Sequence, residues 1–270
     1  MNTLFDRAYS ALLCAEPVAK IAELRALSAS WQAGTLAFVG TAADSVRDIP
    51  VPGRPALPLL VAPRHLKPRG LGSAEGRATL IHAIAHIEFN AINLAVDAVY
   101  RFRGMPEQFY ADWLSVAVDE ARHFELLTAR LAALGHGYGD FPAHDGLWQA
   151  ACTTAHSCLA RMALVPRVLE ARGLDVTPGM IERLRAAQDL ETIAVLEVIL
   201  REEVAHVATG TRWFQYCCTV AGVDPEATFL QLLESHARGM IRAPFNLEAR
   251  ARAGFSAKEM DALGAIAASH

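Results

Sequence analysis

Two glutamate–histidine pairs share one spacing: Glu120 with His123 in "DEARHFELL", and Glu203 with His206 in "EEVAHVATG". On a helix, residues three apart are separated by about 60° around the axis and about 4.5 Å along it, so both side chains can reach one ion. Each pair interrupts an apolar stripe. Trp113, Val116, Leu127, Leu131 and Leu134 flank the first, and Leu196, Ile199, Gly210 and Trp213 the second. A carboxylate and an imidazole on such a face need a partner, because burying them unsatisfied is strongly unfavourable. A metal ion would engage both. Glu88, on the stripe of Ile81, Ile84, Ala91, Ile92 and Ala95, offers a further carboxylate to the first pair, and Glu170 offers one to the second. The six residues Glu88, Glu120, His123, Glu170, Glu203 and His206 supply four carboxylates and two imidazoles. That set would neutralise two divalent cations and is hard enough for iron, or alternatively manganese. The same residues are the candidate catalytic groups. The competing reading is a metal-free buried polar network, with Glu170 paired to Arg167 or Arg172 at a helix end. His82, His86 and His156 read as surface or supporting groups rather than ligands.

The pattern calls for helices to carry these groups. Amphipathic periodicity places a first long helix from about Glu75 to Phe102, stopped by Gly104, and a second from about Pro106 to Leu134, capped by Gly135. Glu88 lies 16 positions before Gly104 and Glu120 lies 16 after it, so an antiparallel hairpin brings them to similar heights. After the linker "GHGYGDFPAHDG" a third helix is expected over Leu147 to Ala171. A "GLDVTPG" turn follows, then a fourth helix in two pieces, Met180 to Gln188 and on through Thr219. Glu170 then sits near the end of its helix and Glu203 far into the next, so they match only if the chain continues past Glu170 before turning back. Two short connections and one long one suit an all-α four-helix bundle with a long crossover. Residues 1–75 are expected to form an N-terminal helix and a proline-rich extended arm on the bundle, 76–221 the bundle, and 222–270 a C-terminal helical tail with a last helix from about Ser256.

Composition restricts the function classes. With 53% hydrophobic and 20% charged residues, the chain is a folded protein rather than a disordered one. A net charge of −4 and a pI near 6.2 weigh against general nucleic-acid binding, although Arg64, Lys67, Arg69, Arg101 and Arg103 could form a local basic patch. The five cysteines include no C-x-x-C pair and read as reduced buried thiols. The N-terminus lacks the shape of a secretory signal, and no membrane-spanning run is evident, so a cytoplasmic location is the expectation.

The stretches "GRATLIHAIAHIEFNAINLAVDAVYRF", "DEARHFELL", "RMALVPRVLEARGLDVTP" and "EEVAHVATGTRWF" resemble the bacterial domain-of-unknown-function 455 family, and with it the ferritin-like superfamily. The resemblance covers nearly the whole chain, including "APFN" and "ARAGF". It implies a ferritin-like bundle with the same six residues at two metal positions. The leading expectation is an oxygen-dependent oxidase or hydroxylase with two iron ions, an unidentified substrate and an external electron donor, since no electron-transfer module is present. A ferritin-like tRNA hydroxylase is one relative within that superfamily. Ferroxidase or metal-storage activity and a non-enzymatic scaffold are the alternatives, and a homodimer is compatible with all three.

Overall fold

The computed structural model describes residues 3–37, 46–66 and 70–269, with the side chain of Arg238 left aside. Among these residues the chain is helical, with two isolated bridges, Thr3 to Ala37 and Leu60 to Ala143, as its only extended pairings. It divides into two compact units, Met1–Cys152 and Thr153–His270.

The first unit is built on a hairpin of α3 (Ala74–Arg101) and α4 (Glu107–Ala133). Ser73 starts α3 by accepting the Gly76 amide at 3.0 Å, satisfying one of the unpaired amides of a helix N-terminus. Tyr110 pins the turn back: its hydroxyl donates to the Phe102 carbonyl at 2.9 Å and accepts from the Met105 amide at 3.2 Å. Two shorter helices cover this hairpin, α1 (Leu4–Leu13) on α3 and α2 (Pro17–Gln32) on α4. Leu4, Leu12, Leu24, Leu27, Ile81, Ile92, Phe109 and Leu127 are buried between them. The N-terminal helix expected from sequence is thus two helices, broken where Cys14 adopts an extended conformation before Glu16 and Pro17 begin α2. Part of the proline-rich segment, around residues 49–53, bonds to this unit. The Gly53 amide donates to the Leu12 carbonyl at 2.8 Å, an approach that a Cβ at residue 53 would block by coming within 2.3 Å of the Leu13 backbone. Trp148 Nε1 donates to the Ile49 and Pro50 carbonyls at 3.3 and 3.2 Å.

The polar stripe of α3 finds partners within this unit. His82 and His86 are buried, not on the surface as one expectation had it, because the "GHGYGDFPAHDG" segment folds over them. His82 Nε2 accepts the Gly139 amide at 2.9 Å, and His86 Nδ1 is hydrogen-bonded with the Tyr138 hydroxyl at 2.8 Å. Burial pushes both imidazoles down to about 4, so each is neutral near pH 7. Asp97 pairs with Arg101 at 2.9 Å.

Asn93 accepts from Lys20 Nζ at 2.8 Å, and the same ammonium donates to the Ala11 and Leu12 carbonyls at 2.9 and 3.0 Å, at the end of α1. Burial dominates the Lys20 titration and brings it down to about 8, against weaker upward pulls from Cys14 and Glu23. A base whose pKa falls on folding carries its burial cost in full below pH 8, sheds it between 8 and 10.5, and so makes the protein more stable as pH rises through that window. Lys20→Met is expected to remove this pH-dependent gain. At pH 7 it should also relieve that burial cost, which offsets the roughly 1–3 kcal/mol lost through the acceptors left unpaired, so the net change there is small. Urea unfolding at pH 7 and pH 10 checks both effects.

Among the described residues α3 is the one helix long and apolar enough to cross a bilayer. The apolar window is 72% buried, as in a core helix. Arg101 is spent on Asp97, and Arg103 lies 3.7 Å over the Phe5 ring, so both are committed to internal contacts. Arg64 is exposed, while Lys67 and Arg69 lie outside the described residues.

The expected third helix, Leu147 to Ala171, is in fact three segments. After α5 (Gly146–Thr153), Ser157 becomes an N-cap, accepting the Ala160 amide at 3.2 Å, and starts α6 (Cys158–Leu164). Proline 166 has no N–H to give to the preceding turn, and the helix widens into a π turn over Val165–Glu170, closed by the Ala171 amide on the Pro166 carbonyl. The helix then continues as α7 (Ala171–Ala186) through Pro178, so the expected "GLDVTPG" turn does not exist. Pro178 would strand the Leu174 carbonyl four residues earlier; Asn246 Nδ2 donates to it at 3.2 Å.

The chain reverses at Ala187 to Asp189, and α8 (Leu190–Ala221) packs on α6, the π turn and α7. The tail carries more helix than expected: α9 (Pro225–Leu232), α10 (Leu247–Arg252) and α11 (Ala257–Ala268), the last begun by a capping box of Ser256 and Glu259. The cysteines are not joined in disulfides, and only Cys218 is buried; Cys152 is exposed, and the rest are half-buried.

Candidate metal-binding site

In the first unit, the hairpin register brings Glu88 of α3 to Glu120 and His123 of α4. All three are buried, at 4%, 1% and 0% exposure. His123 Nδ1 stands 3.2 Å from Glu88 Oε2 and 3.3 Å from Glu120 Oε2, and one donor atom from each residue lies within 4.8 Å of the others. Neighbouring donors around one six-coordinate ion with bonds of about 2.1 Å are separated by about 3 Å, so the spacing suits a shared ion. Two carboxylates with one imidazole also form a hard donor set for a divalent ion.

The electrostatics agree with that chemistry. Burial alone would pull the His123 pKa down, but hydrogen bonds and charge from Glu120 and Glu88 outweigh it and hold the imidazole up to about 11. A proton thus sits where a cation is wanted.

In the second unit, Glu203 and His206 are buried on α8, at 8% and 3% exposure, with Glu203 Oε1 3.4 Å from His206 Nδ1. Glu170 is half-buried at the end of the π turn. Because α7 continues past it to Ala186 before the reversal, Glu170 is well inside its helical run, which removes the height mismatch that its expected helix end created. The alternative partners proposed for it are engaged elsewhere. Arg167 pairs with Glu259 at 2.8 Å, and Arg172 donates to the Arg242 and Pro244 carbonyls at 2.8 and 3.0 Å. His156 is exposed.

Sequence reasoning missed Tyr138, which packs on Phe89 and Phe124 with ring centroids 5.7 and 4.9 Å apart while its hydroxyl is hydrogen-bonded with His86. The signal was the polar stripe of α3, which had to be covered by something.

Residues 13–261 match a family described as "Protein of unknown function (DUF455)". The chain belongs to this family. A DUF455 relative in outline is an uncharacterized protein of Haemophilus influenzae, 45% identical over 214 residues, covering 77% of this chain and 74% of the relative. No solved structure matches the chain. The DUF455 assignment therefore names no chemistry, and the reading of function rests on the buried donors.

Proposed function

We propose that this protein holds two divalent ions, iron or alternatively manganese, one through Glu88, Glu120 and His123 and one through Glu170, Glu203 and His206, and that it is an oxygen-dependent oxidase or hydroxylase. The observation that carries the reading is the convergence of three buried donors, Glu88, Glu120 and His123, on one point. Buried carboxylates gathered in this way are costly unless a cation or proton joins them. The ions would supply redox chemistry toward dioxygen. The residues of the chain would hold the donors in place and keep water out, since Glu88, Glu120 and His123 are all buried. An external electron donor would complete the cycle. The second donor set and the ferritin-like arrangement are supported by the repeated Glu/His spacing and by the sequence resemblance.

Metal analysis by mass spectrometry, on protein isolated without chelators and again after anaerobic Fe(II) loading, is expected to find about two ions per chain. A protein that takes up none under either condition would rule out the oxidase and storage readings together. Loaded protein that assembles into a large cage on gel filtration would favour storage.

A further inference from the structure

Glu170 ends a π turn, and a π turn is a rare conformation that an ordinary helix does not hold by itself. It amounts to one extra residue in the helix. Its relaxation to α-helix would rotate one side of the chain against the other by about 100°, and so re-aim the Glu170 carboxylate. Two contacts on adjacent residues oppose that relaxation.

The first is at Pro166, which seats against α8 at Gly210. A Cβ at position 210 would lie 2.3 Å from both Cβ and Cγ of Pro166, so glycine is what lets α8 come this close. The second is at Arg167, whose Nη2 donates to both carboxylate oxygens of Glu259 at 2.8 Å. The guanidinium lies over the rings of Phe214, Phe229 and Phe255, at 4.9, 4.0 and 4.6 Å from their centroids. Glu259 is itself held by the first turn of α11, where its Oε2 accepts the Ser256 amide at 2.9 Å. The same tail repairs the other irregularity of this helix, since Asn246 serves the carbonyl freed by Pro178.

We propose that Gly210 and the Arg167–Glu259 pair are positioning groups for Glu170: α8 and the C-terminal helix α11 lock the π turn and thereby aim a metal-binding carboxylate. This rests on the reading of Glu170, Glu203 and His206 as donors.

The test is an anaerobic Co(II) titration of the full-length protein, read by stoichiometry, affinity and ligand-field absorption. Glu170→Ala serves as the reference for a lost donor. Glu259→Gln and Gly210→Ala are expected to weaken the Glu170-dependent ion by roughly 10- to 100-fold. They should shift its absorption in the same sense as Glu170→Ala and leave the ion that depends on Glu120 unchanged. Folded variants with wild-type affinity and spectrum, alongside an affected Glu170→Ala, would overturn the positioning role. Should Glu259→Gln fail to fold, Gly210→Ala decides alone, because it keeps the ion pair and alanine's helix propensity offsets part of the clash. Wild-type protein that binds no Co(II), or a Glu170→Ala variant identical to wild type, would instead overturn the donor reading beneath it.

Discussion

Glu120→Ala is expected to weaken metal binding in the first unit by more than about 100-fold, the upper end of what losing a mere supporting group of a metal ligand costs. The reason is geometric as well as electrostatic. Glu120 is 1% exposed and its Oε2 stands 3.3 Å from His123 Nδ1, so no solvent-borne carboxylate can take its place. Removing it leaves Glu88 and His123 with one negative charge between them, against a divalent ion. Glu125→Ala on the same helix is the control. That carboxylate is 42% exposed and pairs with Arg25 across the surface, an interaction worth about 0–1 kcal/mol and remote from the buried donors. Competition against a chelator of known affinity, run on wild type and both variants, measures the effect. A Glu120→Ala protein that keeps its metal at wild-type affinity would remove this site from consideration.

Asp175→Ala is expected to be the most destabilising single change in the second unit, at about 3–5 kcal/mol. Its side chain has no solvent exposure and accepts from Arg250 Nε at 2.9 Å, Arg250 Nη2 at 2.7 Å and the Asn246 amide at 2.9 Å. Truncation strands a guanidinium that is itself 3% exposed, sandwiched against Phe245 and Phe255 at 5.3 and 4.9 Å. It also frees the segment that carries Asn246, and with it the hydrogen bond that lets α7 run through Pro178. Urea unfolding followed by far-UV circular dichroism checks the loss. Asp175→Ala, Arg250→Met, which removes both charges, should recover much of it, because an apolar replacement leaves no buried ion behind. A loss under about 1 kcal/mol for Asp175→Ala would show that the pair bears little of the fold.

The sequence by itself determined the all-helical class and the two helices of the first hairpin to within one residue at each end, and it proposed the candidate donors. These are properties of local periodicity, of end signals such as Gly104, Pro106 and Gly135, and of the fixed angular spacing of i and i+3 positions. The turn at Gly104 also set the register, so counting positions sufficed to predict that Glu88 and Glu120 would meet.

Tertiary structure decided what local rules opposed. Proline 178 and the glycines around it read as a helix end, yet α7 runs through them because Asn246, distant in sequence, satisfies the stranded Leu174 carbonyl. Proline 166 lies in a π turn, and what surrounds that turn, Gly210 on α8 and Glu259 on α11, comes from later in the chain. The sequence reads His82 and His86 as surface or supporting groups without deciding between the two, because their cover, the loop bearing Tyr138, has no periodicity to reveal where it lies. In each case the deciding partner is a hydrogen-bonding or packing group far away in sequence, and local spacing carries no information about it.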